Sequence, residues 1–199
     1  GYFGLIRNFR RLSWLLHYLL GATPAVCRSF VQHKPNQLVP LEGDPESLYS
    51  PYATSLRMGD LGYQSDAQSA LAINYNNMQS YVTNLRNALD LPYAPYQEIG
   101  LRDPKQNYRQ LNTHLLQIEN EFYSAIRPKR TTESGEPPLH ALQDRGIEYV
   151  EVRCLDLNPF AAHGIDVPSI RFLDSFLLFC LLLESPHSNH AEQRNIDHN

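Results

Sequence analysis

Cysteine is scarce in this sequence, and the spacings that make cysteine and histidine into cross-links or metal ligands are missing. The three cysteines, Cys27, Cys154 and Cys180, are odd in number and form no CxxC pair. Disulfide frameworks need paired cysteines and zinc knuckles need closely spaced ligands, so neither is indicated. The eight histidines match no metal motif. We therefore expect reduced thiols and a cytoplasmic location.

Long apolar runs and an excess of positive charge are missing too. The longest apolar runs, at residues 12–20 and 176–183, are too short to cross a bilayer and are flanked by charged residues. The formal net charge of -4 gives no general attraction to nucleic acid or to anionic membranes. We predict that both runs are buried helices and that neither nucleic acid nor membrane is a partner.

The common signatures of nucleotide-binding proteins and hydrolases are also lacking, because no Walker A, GxGxxG or GxSxG sequence occurs.

With 199 residues the chain can bury one sizeable core, so one domain is the first expectation. The chain starts at Gly1 without a helix cap or a signal-peptide pattern, and residues 185–199 are polar and end without a folding signal. These ends predict a piece of a longer protein.

Helical periodicity is present in several segments, which we interpret as packing elements. Serine, threonine and aspartate are typical N-caps, and proline is typical of the first helical turn. The predicted helices are residues 1–20, a helix capped by Thr23, residues 74–90, and a helix from Pro168 to residue 184 that follows Asp166.

Residues 146–160, GIEYVEVRCLDLNPF, alternate in character with the period of a β-strand. One face carries valine and cysteine side chains, and the other carries Tyr149, Glu151 and Arg153. The opposite charges on the second face are flanked by apolar residues, which indicates a semi-enclosed place, and enclosed charges need a partner or a function. The pattern fits a functional site and equally a cross-strand ion pair on an ordinary sheet surface.

A second alternating stretch, residues 114–126, predicts another strand. Leucine, isoleucine and phenylalanine fall on one side, and Glu119, Glu121 and Tyr123 fall on the other. A solvent-facing sheet surface is the alternative interpretation of this acidic, hydroxyl-bearing side.

Residues 127–146, between the two predicted strands, are expected to form a mobile loop that begins with three cations, Arg127, Lys129 and Arg130. Such a loop could close over phosphates. A nuclear-localisation or nucleic-acid patch is the competing interpretation, which the short run and the acidic chain disfavour.

Residues 51–63, PYATSLRMGDLGY, combine several hydroxyl groups, Arg57 and two glycines, and end at Tyr63. The guanidinium is a planar fork of donors, and glycine permits the bends that bring such groups together. An amino-acid carboxylate could be held here. A glycine-containing surface loop with a solvated arginine is the alternative.

Carboxylates on two strands joined by a basic connection fit a divalent cation with phosphates. Carboxylate oxygens suit Mg²⁺, and arginine is the bidentate partner of phosphoryl oxygens. Mg²⁺ also neutralises charge during phosphoryl transfer. ATP-dependent activation of a carboxylate is therefore a sensible chemistry for this chain, although it is not the only one.

Five blocks follow one another along the chain: GYFGLIRNF, GATPAVCRSF, PYATSLRMGDLGY, LQIENEFYSAIRPKR and GIEYVEVRCLDLNPF. In this order they resemble the proteobacterial type of glutamate–cysteine ligase, which makes γ-glutamylcysteine for glutathione synthesis. The resemblance implies an α+β fold, with a glutamine synthetase-like antiparallel sheet curved into a funnel and helices around it. Residues 1–199 would be the central part of one catalytic domain, truncated at both ends.

The resemblance implies roles for the residues on the strands and on the basic connection. Glu151 would be a Mg²⁺ ligand, and Arg153 would contact the transferred phosphoryl group and the reaction intermediate. Arg127, Lys129 and Arg130 would lie near nucleotide phosphates. The family's other metal ligands precede these residues, so the 199 residues alone are expected to be inactive.

By the same resemblance, Arg57, Tyr63 and Tyr123 match positions that line the cysteine pocket, with Arg57 holding the carboxylate. The implied reaction joins L-glutamate to L-cysteine with ATP, through an acyl phosphate, and needs no protein nucleophile. The rival hypothesis is a noncatalytic amino-acid-binding or assembly module that retains the ligase core. An upstream strand with closely spaced glutamates would distinguish the ligase from the module.

Overall fold

The computed structural model describes residues 1–199 except 33–35, 58, 60, 62–65, 70, 72 and 199. Its helices are α1 (Tyr2–Leu12), α2 (Trp14–Leu20), α3 (Arg28–Val31), α4 (Asp66–Ser69), α5 (Met78–Asp90), α6 (Ala94–Ile99), α7 (Pro138–Arg145), α8 (Val167–Leu182) and α9 (His190–His198). Its strands are β1 (Ala25–Cys27), β2 (Val39–Leu41), β3 (Asp44–Tyr49), β4 (Ile126–Lys129) and β5 (Tyr149–Val152). Two antiparallel sheets result, in the orders β1-β3-β2 and β4-β5. The α+β class is confirmed, whereas the larger funnel stays a prediction.

The core forms where α1 packs against α8 and β4, with α5 and α7 closing it. Helical spacing places Ile6 and Phe9 of α1 on the same buried side. The ring of Phe9 meets that of Phe176 on α8 edge to face, with centroids 5.6 Å apart. Burying one such side chain contributes roughly 1.5–3 kcal/mol. This contact explains why two helices far apart in sequence form one layer.

Helix α1 also buries two polar side chains, which bind carbonyl groups at and just after the end of α8. The Nδ2 atom of Asn8 donates to the carbonyls of Cys180 and Leu183, each at 3.0 Å. The last carbonyls of a helix have no partner within the helix, so this contact satisfies them. Arg7 donates to the carbonyl of Ser185 at 2.8 Å. Polar residues of α1 therefore fix the chain that leaves α8.

Strands β4 and β5 pair with Arg127 opposite Glu151 and Pro128 opposite Val150. Opposed residues of an antiparallel pair share a face. The apolar face, with Pro128 and Val150, belongs to the core, and the polar face carries Arg127, Lys129 and Glu151. The two-faced strand predicted within residues 146–160 is confirmed.

The strand predicted at residues 114–126 is wrong. The backbone instead makes a 3₁₀ turn at Glu119–Glu121, and the strand begins only at Ile126. The carboxylate of Glu121 accepts a hydrogen bond from the backbone N–H of Gln117, which closes the turn. On the predicted apolar side Leu116 and Phe122 are buried but Ile118 is 47% exposed, so period-two alternation was misleading here.

The mobile loop predicted at residues 127–146 is also wrong. Its first residues are strand β4, and Pro138 to Arg145 form helix α7. Proline at the first helical position and Gly146 after the last, with φ 74°, delimit that helix. The carboxylate of Glu119 accepts from the backbone N–H of Leu139 at 2.8 Å, so it caps α7 and is not part of an acidic sheet face.

The helix predicted to begin at Thr23 is wrong at its start, because residues 25–27 form strand β1 and the short helix α3 begins only at Arg28. Thr23 forms a parallel bridge with Ser55, and its carbonyl accepts from the backbone N–H of Leu56 at 2.8 Å. A Cβ atom on Gly21 would lie 2.7 Å from the carbonyl oxygen of Thr54, so only glycine permits this approach. Tertiary pairing therefore overrides the N-cap and proline signal.

The other predicted helices are confirmed with changed bounds. Residues 1–20 form α1 and α2, which are separated at Ser13. Helix α5 is capped by Asn77, which accepts from the N–H of Ser80 at 2.8 Å. Helix α8 is capped by Asp166, which accepts from the N–H of Ser169 at 2.9 Å. The last polar residues were expected to lack a folding signal, but they include α9.

The two apolar runs are buried on one face only, which corrects their prediction as buried helices. In α8, Phe176 and Cys180 are buried, whereas Leu182 is 76% exposed. In α2, Leu16 is buried and Tyr18 is 70% exposed. Within the described part of the chain, none of the helices combines the length and the apolar character needed to cross a membrane.

Candidate functional site

The candidate site lies beyond the end of β5, where Arg153 contacts Tyr123. The N–H of Arg153 donates to the carbonyl of Ala125 at 2.9 Å, which extends the β4–β5 pairing by one step. The hydroxyl of Tyr123 donates to the carbonyl of Arg153 at 2.8 Å. The guanidinium carbon of Arg153 lies 5.0 Å from the centre of the Tyr123 ring, a cation–π contact. Backbone and ring together fix the position of this arginine.

Arg57 approaches the same tyrosine from the segment that follows β3. Burial raises the pKa of Tyr123, while a hydrogen bond from Arg57 and the charges of Arg57 and Arg153 act in the opposite direction. The phenol therefore stays neutral at physiological pH, and its hydroxyl donates its proton in the hydrogen bond to the carbonyl of Arg153. The structure thus brings together three predicted site residues from separate parts of the sequence. Tyr63, the other tyrosine predicted for the cysteine pocket, lies outside the described residues.

Two guanidinium groups around one neutral phenol offer donors that can bind an anion. Arginine binds carboxylates and phosphoryl groups through paired N–H donors, and it does so better than lysine because its donors are planar and fixed. A phenol adds a neutral hydrogen-bonding group and an apolar ring. The arrangement can therefore hold a carboxylate or a phosphoryl group next to an apolar or polar side chain.

Glu151 lies on the polar face of β5, beside Lys129 of β4. The Nζ atom of Lys129 is 3.8 Å from Oε2 of Glu151, and the two side chains are 26% and 42% exposed. A pair with this exposure contributes only about 0–1 kcal/mol to stability. The carboxylate is therefore accessible to another cation at little cost, although the cross-strand ion pair that we gave as the alternative is also present.

The predicted Mg²⁺ site has one candidate ligand, Glu151, among the described residues. Among them, no three or more His, Cys, Asp or Glu side chains lie together as a metal-binding group. Mg²⁺ takes six oxygen ligands and keeps several waters, so one or two protein carboxylates at a place is ordinary. Glu151 fits one such ligand, and the rest of the shell would have to come from outside these residues or from phosphates.

The three predicted phosphate-binding cations line one small cavity between β4 and α7. Arg127 is 6% exposed and its Nη2 atom donates to the carbonyl of Glu119 at 3.2 Å. Its Nε atom contacts no acceptor among the residues that the structure describes. Lys129 pairs with Glu151, and Arg130 lies 3.7 Å from Glu148. Each cation thus has an internal partner, and their place near nucleotide phosphates stays a prediction.

Gln68 is a part of the site that the sequence did not reveal. Its side-chain oxygen accepts from the N–H of Tyr123 at 3.2 Å, and its side-chain nitrogen donates to the carbonyl of Glu121 at 2.9 Å. The amide therefore holds the backbone on which Tyr123 stands. A glutamine in a four-residue helix carries no sequence signal for this role, because the contact spans more than 50 positions.

The two buried cysteines, Cys154 and Cys180, contribute no nucleophile to this site. Cys154 is 2% exposed on the apolar side of its strand, as predicted, and burial raises the pKa of its thiol to about 12. Burial raises the pKa of Cys180 to about 11. Both thiols stay protonated, and a protonated thiol is a poor nucleophile.

Comparison with known proteins relates this geometry to one enzyme family. Residues 1–199 match the model of the family described as glutamate-cysteine ligase. The chain is 57% identical to the glutamate–cysteine ligase of Saccharophagus degradans over 195 residues, which are 98% of this chain and 37% of that protein. It is 58% identical to that of Pseudomonas entomophila over 191 residues, 96% of this chain and 36% of that protein. The chain thus spans little more than a third of these relatives.

Two solved structures show a similar chain path. The crystal structure of the glutamate–cysteine ligase of Francisella tularensis in complex with AMP matches with a TM-score of 0.91 and 42% identity, over 99% of this chain and 39% of that chain. A bifunctional glutathione synthetase from Pasteurella multocida matches with a TM-score of 0.56 and 21% identity, over 99% of this chain and 20% of that chain. The second likeness concerns the fold alone.

Proposed function

This chain belongs to the glutamate–cysteine ligase family, and we propose that it is the central part of a catalytic domain that joins L-glutamate to L-cysteine with ATP. The observation that carries the proposal is the convergence of Arg57 and Arg153 on Tyr123. Ligation of two amino acids requires sites for an acceptor carboxylate and for a transferring phosphoryl group, and this cluster offers one guanidinium for each.

In the first step, an oxygen of the γ-carboxylate of glutamate attacks the γ-phosphorus of ATP. The bond to the β-phosphate breaks, ADP leaves with the electron pair, and a γ-glutamyl phosphate forms. Arg153 contributes by holding the transferring phosphoryl group, because its guanidinium is fixed by the Tyr123 ring and by the end of β5. Positioning and charge stabilisation are the main contributions a protein makes to such a transfer.

In the second step, the amine of cysteine attacks the acyl carbon, phosphate leaves, and the amine loses a proton. The product is γ-glutamylcysteine. Arg57 binds the carboxylate of the incoming cysteine, and Tyr123, with Tyr63 by the family resemblance, shapes the place of its side chain. The reaction uses no protein nucleophile, which agrees with two buried, protonated thiols at Cys154 and Cys180.

Glu151 is the residue of this chain that would ligate Mg²⁺. Its carboxylate is accessible on the β5 face and its pairing with Lys129 is weak, so exchange of Lys129 for a metal ion is inexpensive. Bound Mg²⁺ supplies neutralisation of the nucleotide phosphates. Arg127, Lys129 and Arg130 would lie near those phosphates, and the AMP in the Francisella tularensis relative supports a nucleotide site.

The wider setting of these residues is part of the same proposal. The β4–β5 pair would belong to a larger glutamine synthetase-like funnel in the complete protein. We place the enzyme in the cytoplasm, with L-glutamate, L-cysteine and ATP as its partners and with neither nucleic acid nor a membrane among them. The free thiols and the net charge of -4 support this setting.

The test is an ADP-release assay on the complete protein with glutamate, cysteine, ATP and Mg²⁺. We expect release that depends on cysteine, with γ-glutamylcysteine detected by mass spectrometry. A reaction without cysteine and a reaction with chelated metal are the controls. The 199 residues expressed alone should be inactive. Amino-acid binding by the complete protein without ADP release would favour the noncatalytic module instead.

A further inference from the structure

Asp156 joins three segments of the chain next to the candidate site. It lies beyond Arg153 on the same stretch and accepts three hydrogen bonds. Its Oδ2 atom accepts from the backbone N–H of Ala22 at 2.8 Å and from the hydroxyl of Thr23 at 2.7 Å. Its Oδ1 atom accepts from the hydroxyl of Ser55 at 3.1 Å. A single carboxylate thus links the turn after α2, the segment after β3 and the end of β5.

The contact with Ser55 leads directly to Arg57. The hydroxyl of Ser55 accepts from the backbone N–H of Arg57 at 3.1 Å while it donates to Asp156. The same segment is joined to Thr23 through the N–H of Leu56, at 2.8 Å. Arg57 therefore stands on a segment whose backbone is fixed by the network around Asp156.

The fit around this network is tight. A Cβ atom on Gly21 would lie 2.5 Å from the carbonyl oxygen of His17 and 2.7 Å from Cβ of Thr54. The hydroxyl of Thr54 donates to the same His17 carbonyl at 2.6 Å. The segment before Arg57 is thus in close contact with the end of α2, and a shift of either part would move Arg57 relative to Arg153.

We propose that Asp156 is a positioning residue, which holds the segment carrying Arg57 against the stretch carrying Arg153 so that both guanidiniums face Tyr123. The carboxylate suits this task because all three partners are donors and hydrogen bonds to an ionised acceptor are the stronger kind. An asparagine would direct an amide NH₂ at one of those donors. The ligand in this inference, the carboxylate of the acceptor cysteine, rests on the proposed function.

The test compares Asp156→Asn with Asp103→Asn in the complete protein. Asp103 also accepts three hydrogen bonds, from the N–H of Lys105 at 2.8 Å and from the N–H and side-chain amide of Asn107 at 2.9 and 3.1 Å. We expect Asp156→Asn to raise the Michaelis constant for cysteine by roughly tenfold or more, because small misplacements of a positioning group have effects of this size. The constants for glutamate and ATP should stay within about twofold, and Asp103→Asn should change none.

A second readout does not depend on activity. Amide hydrogen exchange at residues 22–23 and 54–57 should accelerate in Asp156→Asn and stay unchanged in Asp103→Asn. Ser55→Ala breaks the link between Asp156 and Arg57, together with the 3.2 Å contact between the hydroxyls of Ser55 and Thr23. It should therefore raise the constant for cysteine, and Ser55→Thr, which keeps the hydroxyl, should restore it. These serine variants decide the question if Asp156→Asn fails to fold.

The outcomes separate this inference from the proposed function. Equal changes in all three Michaelis constants, or no change in exchange and no change in the cysteine constant, would overturn the positioning role. In an Arg57→Lys background, Asp156→Asn should add little to the cysteine constant, and a full additional effect would also overturn it. If Asp156→Asn accelerates exchange but the unaltered protein shows no ligase activity, the proposed function is overturned and the positioning role of Asp156 stands.

Discussion

Arg7 and Arg11 of α1 and Arg153 beyond β5 are all at least partly buried, but they are bound in different ways. Arg7 donates to carbonyls of Tyr75, Asn76 and Ser185, and Arg11 lies 2.6 Å from a carboxylate oxygen of Glu192 on α9. Arg153 instead contacts the face of an aromatic ring. The N–H groups of a guanidinium lie in its plane, so contact through the face keeps them directed elsewhere. Arg7 and Arg11 fasten the helices, whereas Arg153 keeps in-plane donors that can reach a ligand. Ring contact alone does not mark such a role, because Arg10 of α1 also lies over a ring, that of Tyr75, at 4.5 Å.

The same contrast separates the acidic residues. Glu119 and Glu121 accept hydrogen bonds from backbone N–H groups and so shape a turn and cap a helix. Glu151 instead forms a partly exposed ion pair with Lys129, at 3.8 Å. Breaking the hydrogen bond between a carboxylate and a buried backbone N–H costs free energy, whereas breaking an exposed ion pair costs little. Partner chemistry is therefore the basis on which we separate structural charges from those proposed to be functional.

The largest expected effect that tests this contrast is that of Glu151→Gln. The amide keeps the shape of the side chain but loses the charge that would hold Mg²⁺, so ligation by the complete protein should fall by at least about 100-fold. Steady-state ADP release measures it. Glu148→Gln is the matched control, since Glu148 is a neighbouring acidic residue paired with Arg130 at 3.7 Å. Near-normal turnover of Glu151→Gln at saturating Mg²⁺ would make Glu151 an ordinary ion-pair partner.

Arg57→Lys should have the next largest effect. Lysine keeps the charge but cannot make a planar two-point contact with a carboxylate, so the Michaelis constant for cysteine should rise by roughly 10- to 100-fold. The constants for glutamate and ATP should change little. Arg28→Lys provides the control, because Arg28 is exposed and donates to the carbonyl of Pro45. Parallel changes in all three constants would indicate general disruption and exclude the acceptor role.

The sequence predicted one two-faced strand correctly but misjudged much of the path of the chain around it. Alternation identified the two faces of β5, because a strand with one buried face imposes that pattern locally. Residues 114–126 show the same alternation but include a 3₁₀ turn closed by Glu121. The local pattern of residue types cannot distinguish this turn from a strand. The extended path after Thr23 depends on pairing with Ser55, a contact across the chain. Gln68 and Asp156 act through contacts of this distant kind.

Residue roles at the site came from resemblance to a family and not from periodicity. Physical reasoning alone left Glu151 and Arg153 equally suited to an ion pair or to a site. The observed geometry adds that Arg153 contacts the ring of Tyr123. Among the described residues, the ion pairs of Glu151 and Glu148 are with Lys129 and Arg130 and not with Arg153. Arg57 and Arg153 approach Tyr123 from two other segments of the chain. No single stretch of sequence contains this information, which is why the structure sharpens the proposal.

On the structural side of the contrast, Asn8→Ala should destabilise the protein without affecting the site. It leaves the carbonyls of Cys180 and Leu183 without their donor in a partly buried place, at a cost of about 2–4 kcal/mol. A lower denaturation midpoint with unchanged Michaelis constants is the expected result. Asn87→Ala, at an exposed position of α5, is the control and should change stability by less than about 0.5 kcal/mol. An altered cysteine constant in Asn8→Ala would show that α1 also shapes the site.

The smallest effect concerns an ion pair that lies away from the site. The hydrogen bonds from Arg145 to Glu136, at 2.7 and 2.6 Å, lower the pKa of the glutamate from 4.5 to about 2. Because the folded pKa lies below the unfolded one, the contribution to stability is complete above about pH 4.5 and is lost as the pH falls towards 2. Glu136→Gln should therefore reduce stability at pH 7 and make the denaturation midpoint less sensitive to acid in that window. Glu133→Gln, in the same connection, is the control. An acid profile unchanged by Glu136→Gln would show that other carboxylates account for the acid sensitivity, and ligase kinetics at pH 7 should be the same in both variants.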